Sequence, residues 1–223
     1  MTDHDAWLAQ VSEEPLDPEL PICDPHHHLW ARPGQRYLLP DLQADLACGH
    51  HIVSTVFVEC SAFYRDSGPE ALRPVGEVEF VEREVAPAAG GPVAIAAGIV
   101  AHADLRLGAA VAEVLEALRA ASPSRLRGIR HSVAWDASPD IDGYMNMPPG
   151  LLLDERFREG FAQLAPQGLS FDVWLYHPQL AELVDLARTF PETTIVLDHV
   201  GGPLHLGVYG TFREDAYRHW RAA

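Results

Sequence analysis

The chain has 223 residues, of which 48% are hydrophobic and 22% charged, a composition typical of a soluble globular protein with one sizeable core. Acidic residues outnumber basic ones by 32 to 16, which leaves a formal net charge of −16. A field of that sign repels nucleic acid and anionic membrane, so neither is an expected partner. The expected partner is a small-molecule substrate, and the charge does not exclude an anionic one.

Residues 1–20 form a predicted N-terminal arm, and residues 21–223 a predicted single domain. The arm is acidic and lacks the apolar core of a secretory signal. The most apolar stretch, Val93–Ala101, is far shorter than the roughly 20 residues that span a bilayer. The three cysteines show no C-x-x-C spacing, so we expect a reduced, cytoplasmic protein. The sequence indicates no oligomeric state.

Short apolar runs alternate with amphipathic stretches along the predicted domain. Most runs are too apolar to have a solvated face, as is typical of parallel strands covered on both sides. The predicted strands are Pro21–Asp24, Ile52–Cys60, Val93–Val100, Leu126–His131, Leu169–Tyr176 and Thr194–His199. Predicted helices cover Glu70–Val85, Leu107–Arg119, a segment from an Asp154 cap to Leu164, Pro178–Pro191 and Thr211–Ala223.

Repeated strand–helix units predict an α/β fold with a parallel sheet. Two architectures fit this pattern, an open doubly wound sheet and a closed eight-stranded barrel. A barrel usually takes about 250 residues, so in a barrel this chain would supply only about six of the βα units. An open sheet would be complete as written. Length alone leaves the two alternatives open.

Histidines recur where predicted strands end, and that edge carries the active site in βα proteins. His26 and His28 follow the first strand. Residues i and i+2 share one face of a strand, so these two side chains are expected to point into one space and His27 away from it. Such a pair can bind a divalent cation or polarise a carbonyl oxygen. Taken alone, the pair fits a surface loop equally well.

The segment Ile22–Trp30, ICDPHHHLW, resembles the D-x-H-x-H-[FL]-W opening of the amidohydrolase-related barrel hydrolases. The resemblance implies a (β/α)8 TIM barrel, incomplete in this chain, and is nearest to the lactonase branch, which includes fuconolactonase-like and pyrone-dicarboxylate lactonases. For cofactors it implies either one divalent metal, zinc first, or none. Further similar blocks follow in family order at Gly98–Leu105, Leu126–His131, Phe171–Leu180 and Ile195–Pro203.

The resemblance and the requirements of lactone hydrolysis together suggest roles for nine residues. The predicted catalytic residues are His26, His28, Arg130 and His199. The predicted substrate-binding residues are Trp30, Glu59, His131, Tyr176 and His177. The predicted metal ligands are His26, His28, His177 and His199.

Several placements have alternatives. Arg130 could instead form a salt bridge with Asp172 or Asp198, and Glu59 could orient a histidine. Asp198 alternates with His199 along the predicted strand, so we expect His199 alone to point inward. For Trp174 core packing and a place in the pocket wall fit equally well, so it is left out of the predicted site. Surface or loop positions are expected for His50, His51, His102, His205 and His219.

These observations predict a hydrolase that opens a sugar or carboxylate lactone by water attack on a carbonyl polarised by strand-end histidines. The family's catalytic aspartate after the eighth strand, in an S-D-W-P-like block, has no counterpart here. We therefore expect these 223 residues alone to be inactive or nearly so. The alternatives are a decarboxylase or another carbonyl hydrolase on the same scaffold, and a non-catalytic truncated homologue that binds a ligand or metal.

Overall fold

A computed structural model of the protein describes residues 6–7, 10–11, 13–141, 147–211 and 213–222. The strands are β1 (Ile22–His27), β2 (Trp30–Arg32), β3 (Gln35–Tyr37), β4 (Ile52–Val58), β5 (Ala94–His102), β6 (Leu126–Ser132), β7 (Ser170–Trp174) and β8 (Ile195–Leu197). The helices are α1 (Leu39–Leu46), α2 (Val75–Val85), α3 (Val111–Ala121), α4 (Glu155–Phe161), α5 (Leu180–Thr189), α6 (Val208–Thr211) and α7 (Arg213–Ala222).

One six-stranded sheet organises the molecule. Its order is β1-β4-β5-β6-β7-β8, and every neighbouring pair is parallel. Strand order therefore advances in one direction across the sheet. A doubly wound sheet reverses its strand order at a switch point, whereas a barrel does not. This order decides between the two architectures in favour of an incomplete barrel.

All six predicted strands are present, with shifted ends. The strand β5 runs on to His102, two residues beyond its predicted end. The strand β8 is only three residues long and stops at Leu197 instead of reaching His199. A short 3-10 turn over Asp198–Gly201 follows it, and this turn carries two chemically important side chains.

The predicted helices are present, but several begin later than expected. In the segment predicted to start at Leu107, Gly108 has φ 62°, so a 3-10 turn comes first and α3 begins at Val111. Asp154 caps α4 as predicted, because its side chain accepts a hydrogen bond from the backbone N–H of Phe157 at 2.8 Å. At the end of the chain, Phe212 lies outside the described residues.

The main core lies between the sheet and the helices. Phe171 on β7 meets the ring of Phe161 on α4 at 5.1 Å between centroids, and both side chains are fully buried. We call this helix-covered side the outer face of the sheet and the opposite side, which carries Arg130 and Trp174, the inner face. Aromatic pairs of this kind fix how the helices dock on the outer face.

A small antiparallel hairpin, β2–β3, follows β1 and was not predicted from the sequence. Trp30 pairs with Tyr37 across it, and Arg32 pairs with Gln35 next to the turn. Gly34 supplies the left-handed residue of the turn, with φ 78°. The hairpin stands at the carboxyl end of β1, where the candidate site begins. Within the described ranges, no helix is both long and apolar enough to cross a membrane.

Candidate active site

Side chains from β1 and from the turn after β8 meet at the carboxyl edge of the sheet. His26 and His28 bring their Nε2 atoms to 3.3 Å from each other. The His26 ring lies 5.1 Å from that of His199, between centroids. Asp198 completes the group, with its Oδ1 3.9 Å from His26 Nδ1. The two ends of the sheet thus contribute to one cluster.

Strand alternation, continued one residue past the end of β1, explains how this segment supplies two of these imidazoles. His27, between them, points to the outer face, where its Nε2 lies 2.9 Å from the hydroxyl of Thr55 and its ring packs beside Phe57. The Nδ1 atom of His28 lies 2.7 Å from the carbonyl oxygen of Val58. A carbonyl oxygen can only accept, so Nδ1 carries the proton and the neutral ring has its lone pair on Nε2.

The turn after β8 corrects the prediction that only His199 points inward. Both Asp198 and His199 reach the cluster. The alternation rule fails because the strand has already ended at Leu197, and His199 and Val200 adopt left-handed backbone with φ 49° and 51°. Such a conformation is costly for a β-branched valine. It turns two consecutive side chains to the same side.

Arg130 links this cluster to the centre of the sheet. Its Nε donates to Asp198 Oδ2 at 2.7 Å, and its NH1 lies 3.7 Å from Glu59 Oε1. Arg130 therefore forms the buried salt bridge with Asp198 that the sequence left open as an alternative, and it also lines the cavity, while its catalytic role stays a prediction. Glu59 lines the cavity too, and its ion pair is with Arg130.

The cavity itself is small, about 270 Å³, and opens beside the histidine cluster. It has one aromatic wall, Trp174, whose ring centroid lies 5.9 Å from the guanidinium carbon of Arg130. The lining residues are His28, Arg32, Glu59, Cys60, Ser61, Arg130, Ser132, Trp174 and His199.

Burial keeps His26 and His28 neutral. It lowers the pKa of His26 to about 4, although the nearby Asp198 carboxylate acts in the opposite direction. Burial also lowers the pKa of His28. On the inner face of β7, burial and then the Asp198 charge raise the pKa of Asp172 to about 6. At neutral pH the two imidazoles can therefore act as ligands or proton acceptors without repelling a cation.

Two predicted substrate-binding residues, His131 and Tyr176, lie away from the cavity. His131 is fully buried on the outer face, where its Nδ1 accepts from the backbone N–H of Leu105 at 3.3 Å and its ring meets Phe157. It alternates with the inward-facing Arg130, which is the physical reason for the correction. Tyr176 lies past the end of β7 and packs in a separate apolar cluster with Ala134 and Leu204.

His177 is not among the side chains that meet in the histidine cluster of the described chain. It is buried in a turn before α5, where its Nδ1 accepts from the backbone N–H of Leu204 at 3.3 Å. Its ring lies 5.0 Å from that of Tyr209. The structure therefore separates His177 from the other three predicted metal ligands.

Trp30 and His102 also differ from expectation. The Trp30 ring stands 6.2 Å from that of His28 but is not among the residues that line the cavity. His102, expected in a loop, is the half-buried last residue of β5, and its Nδ1 donates to the carbonyl oxygen of Arg130 at 3.0 Å.

Sequence reasoning missed Asp198, Trp174 and Arg32. For Trp174 a signal existed, because it stands two residues from Asp172 on the same face of β7. Nothing in the sequence marked Arg32, because its position depends on the unpredicted hairpin.

The cluster fits a divalent metal by the chemistry of its donors. One ligand atom from each of His26, Asp198 and His199 lies within 4.8 Å of the others. Nitrogen and oxygen donors of this kind suit zinc. The separation of 3.3 Å between the Nε2 atoms of His26 and His28 also matches two ligands on one tetrahedral ion, which stand about 3.4 Å apart when each bond is about 2.1 Å.

These features define a hydrolase-type site at the carboxyl edge of a parallel barrel sheet. A model of the amidohydrolase family matches residues 23–223, and the chain belongs to this family. A curated relative in Sinorhizobium fredii, the uncharacterized protein y4mH, is 32% identical, and the match covers 84% of this chain and 66% of that protein. The chain therefore spans about two thirds of the length of this relative.

Solved structures show the same fold. An amidohydrolase from Burkholderia multivorans with bound HEPES has a TM-score of 0.62 at 21% identity, covering 90% of this chain and 63% of that one. A second crystal form, with bound Zn, has a TM-score of 0.60 at 22% identity with the same coverage. A probable 2-pyrone-4,6-dicarboxylic acid hydrolase from Acinetobacter baumannii, with citric acid bound, has a TM-score of 0.52 at 14% identity, covering 90% and 65%. The predicted incomplete (β/α)8 barrel is confirmed.

Proposed function

We propose that this amidohydrolase opens a lactone, either of a sugar or of a carboxylate-bearing ring, by attack of water on the ring carbonyl. The observation that carries the proposal is the meeting of His26, His28 and His199 beside a small cavity. The similarity to a probable 2-pyrone-4,6-dicarboxylic acid hydrolase supports the choice of a cyclic ester. The proposed partner is a small molecule, and neither nucleic acid nor membrane is involved.

In this proposal His26, His28 and His199 activate the carbonyl. His28 presents a lone pair at Nε2, because its Nδ1 proton is engaged by the Val58 carbonyl. A lone pair cannot donate a hydrogen bond to a substrate oxygen. His28 therefore acts as a metal ligand or proton acceptor, which favours metal-assisted activation over direct polarisation.

A divalent metal, zinc first, is the proposed cofactor. His26, Asp198 and His199 would hold it, with His28 beside them. When bound, such an ion polarises a carbonyl and makes water more acidic. Arg130 holds Asp198 through Nε and so fixes the orientation of this carboxylate. His177, predicted as a fourth ligand, is not included, because its ring is engaged elsewhere.

We further propose that the 223 residues alone turn over little substrate. The sheet edges support this, since within the described chain β1 and β8 each pair with a single strand. Exposed edges of this kind favour association over a rigid site. The lack of an S-D-W-P-like block in these 223 residues also supports low turnover. Turnover by the isolated 223 residues should be compared with that of the product of the complete reading frame, and robust turnover by the isolated residues would refute this part of the proposal.

The test uses the product of the complete reading frame with a panel of sugar and carboxylate lactones and a panel of aromatic carboxylates. We expect ring opening in the first panel, loss of activity on chelation, and recovery with added zinc. Activity only on the aromatic carboxylates would point to a decarboxylase instead. Stoichiometric metal without turnover on either panel would favour a metal-binding homologue.

A further inference from the structure

The loop after β4 forms one wall of the cavity and has an unusual backbone. Glu59, Cys60 and Ser61 all line the cavity. Ser61 adopts left-handed backbone with φ 58°, and so does Phe63, with φ 53°. Such a conformation costs free energy in a residue other than glycine, and it persists only where surrounding contacts enforce it. The contacts that hold this loop therefore determine the shape of the cavity wall.

One carboxyl oxygen from α2 supplies such contacts. Glu77 Oε1 accepts from the backbone N–H of Cys60 at 3.1 Å and from that of Ala62 at 2.8 Å. The Cys60 thiol also donates to this atom, with its Sγ 3.6 Å away. The two N–H groups flank Ser61 and converge on the same oxygen, so this oxygen fixes the left-handed turn between them.

The same loop is bonded to the buried arginine of the site. Arg130 NH1 donates to the backbone carbonyl oxygen of Glu59 at 3.2 Å and lies 3.7 Å from the carboxylate of this residue. Through its Nε, Arg130 also holds Asp198. A shift of the loop would therefore be passed on to the carboxylate of the histidine cluster. In an enzyme, a misplacement of about 1 Å can cost about 100-fold in rate.

Glu77 lies behind the cavity wall, where it is only 1% exposed. Burial, and then the charge of Glu59, raises the pKa of Glu77 to about 8. Most of its side chain is therefore protonated at neutral pH. A protonated carboxyl group still accepts hydrogen bonds through its carbonyl oxygen. The loop thus needs an acceptor oxygen at this place and not a charge.

We propose that Glu77 is a positioning residue, which holds the loop of residues 59–62 in the conformation that the active site requires. This inference rests on the proposed lactone-opening function and gives Glu77 a role through the loop, without contact with the substrate. In the product of the complete reading frame, Glu77→Leu removes the acceptor oxygen, and we expect kcat/KM for a lactone to fall about 10- to 100-fold. Glu77→Gln keeps an acceptor oxygen and should stay within about threefold of the unmodified protein.

The matched control is Val78→Ala, at the next position of α2. Val78 is likewise 1% exposed and belongs to the main core. Its truncation lowers stability by leaving a cavity, but it removes no hydrogen bond to the loop. We expect kcat/KM to be retained. If Glu77→Leu does not fold, Glu77→Asp serves instead, because it withdraws the oxygen from the loop by one methylene group and should lower kcat/KM in the same direction.

The thiol of Cys60 reports on the loop without any turnover. It is half-buried and donates to Glu77 Oε1. In Glu77→Leu we expect iodoacetamide to alkylate Cys60 about tenfold faster or more, because the loop opens more often. Glu77→Gln and Val78→Ala should leave this rate near that of the unmodified protein. Peptide mass spectrometry separates Cys60 from the exposed Cys23 and Cys48.

Equal losses of kcat/KM in Glu77→Leu and Val78→Ala would overturn the assignment, because only stability would then be at stake. So would a loss in Glu77→Gln as large as that in Glu77→Leu, since the charge would then matter and not the acceptor. An unchanged alkylation rate of Cys60 in Glu77→Leu would overturn it as well. If the unmodified protein hydrolyses no lactone but alkylation rises in Glu77→Leu alone, the proposed function fails and the assignment of Glu77 to the loop stands.

Discussion

His26 on β1 and His28, directly after it, face the inside of the barrel sheet, whereas His131 on β6 faces the helices. All three stand near the carboxyl end of a parallel strand. The inward pair meets other titratable groups beside a cavity, with 3.3 Å between two ring nitrogens. His131 instead accepts a backbone N–H and packs against Phe157. Position at a strand end is therefore not sufficient for a catalytic role.

Successive side chains of a strand point to opposite faces of the sheet, and this alternation decides which histidine faces inward. On β6 the inward position belongs to Arg130, which reaches Asp198, and the next residue must point outward. On β1 the same rule sends His27 outward and its two neighbours inward. The face of the sheet on which a strand-end side chain lies should therefore be established before a chemical role is assigned to that residue.

The largest expected effect comes from replacing the inward His26, as compared with replacing the outward His27 on the same strand. In the product of the complete reading frame, we expect His26→Ala to lower kcat/KM for the lactone about 100- to 1,000-fold, as loss of a group that stabilises carbonyl charge does. His27→Gln should keep near-normal activity, because its side chain lies with Thr55 and Phe57. Initial rates and melting temperatures of both variants provide the measurement.

Wild-type activity in His26→Ala would show that the role given to His26 is wrong. Comparable losses in both variants, with folding intact, would remove the distinction between the two faces.

The contrast between inner and outer positions can also be tested through the stability contributed by a buried and by an exposed ion pair. Arg130→Met leaves two buried carboxylates without their cation, and we expect the free energy of unfolding to fall by about 3–5 kcal/mol. Arg106→Met breaks the more exposed pair with Asp104, and there we expect about 1 kcal/mol or less. Urea unfolding measures both values. Equal losses would mean that Arg130 is held no more tightly than a surface arginine.

Much of the fold could be predicted because local periodicity encodes it. Apolar runs marked all six barrel strands, and the Asp154 cap marked the start of α4. Strand order is a property of the whole sheet, so no local pattern could choose between an open sheet and a barrel. The hairpin that carries Arg32 was missed because its strands have three residues each, too few to show a period.

Prediction of the site succeeded at the end of β1 and failed at the end of β8. The i, i+2 rule placed His26 and His28 together, because β1 extends to His27. It failed for Asp198, which follows the last residue of β8, and the left-handed turn there depends on tertiary packing. The error at His131 was avoidable, since adjacent residues on a strand cannot both face inward.

The last effect we predict is the acid sensitivity that the outward histidine imposes. Burial and then the neighbouring His102 lower the pKa of His131 to about 3. The unfolded chain binds a proton at this residue below about pH 6.5, whereas the folded protein does not until about pH 3. Stability should therefore fall as pH drops through this window, by up to about 1.4 kcal/mol per pH unit.

The variant His131→Gln has no titratable group at this position. Its free energy of unfolding should therefore depend less steeply on pH between about pH 7 and about pH 5. The decisive quantity is the slope, because the variant also loses packing against Phe157 and will be less stable at every pH. His50→Gln, at an exposed position, is the control and should leave the slope unchanged. Parallel curves for His131→Gln and the unmodified protein would mean that the buried imidazole accepts a proton at little cost, and the contrast between the two faces would then lose its electrostatic basis.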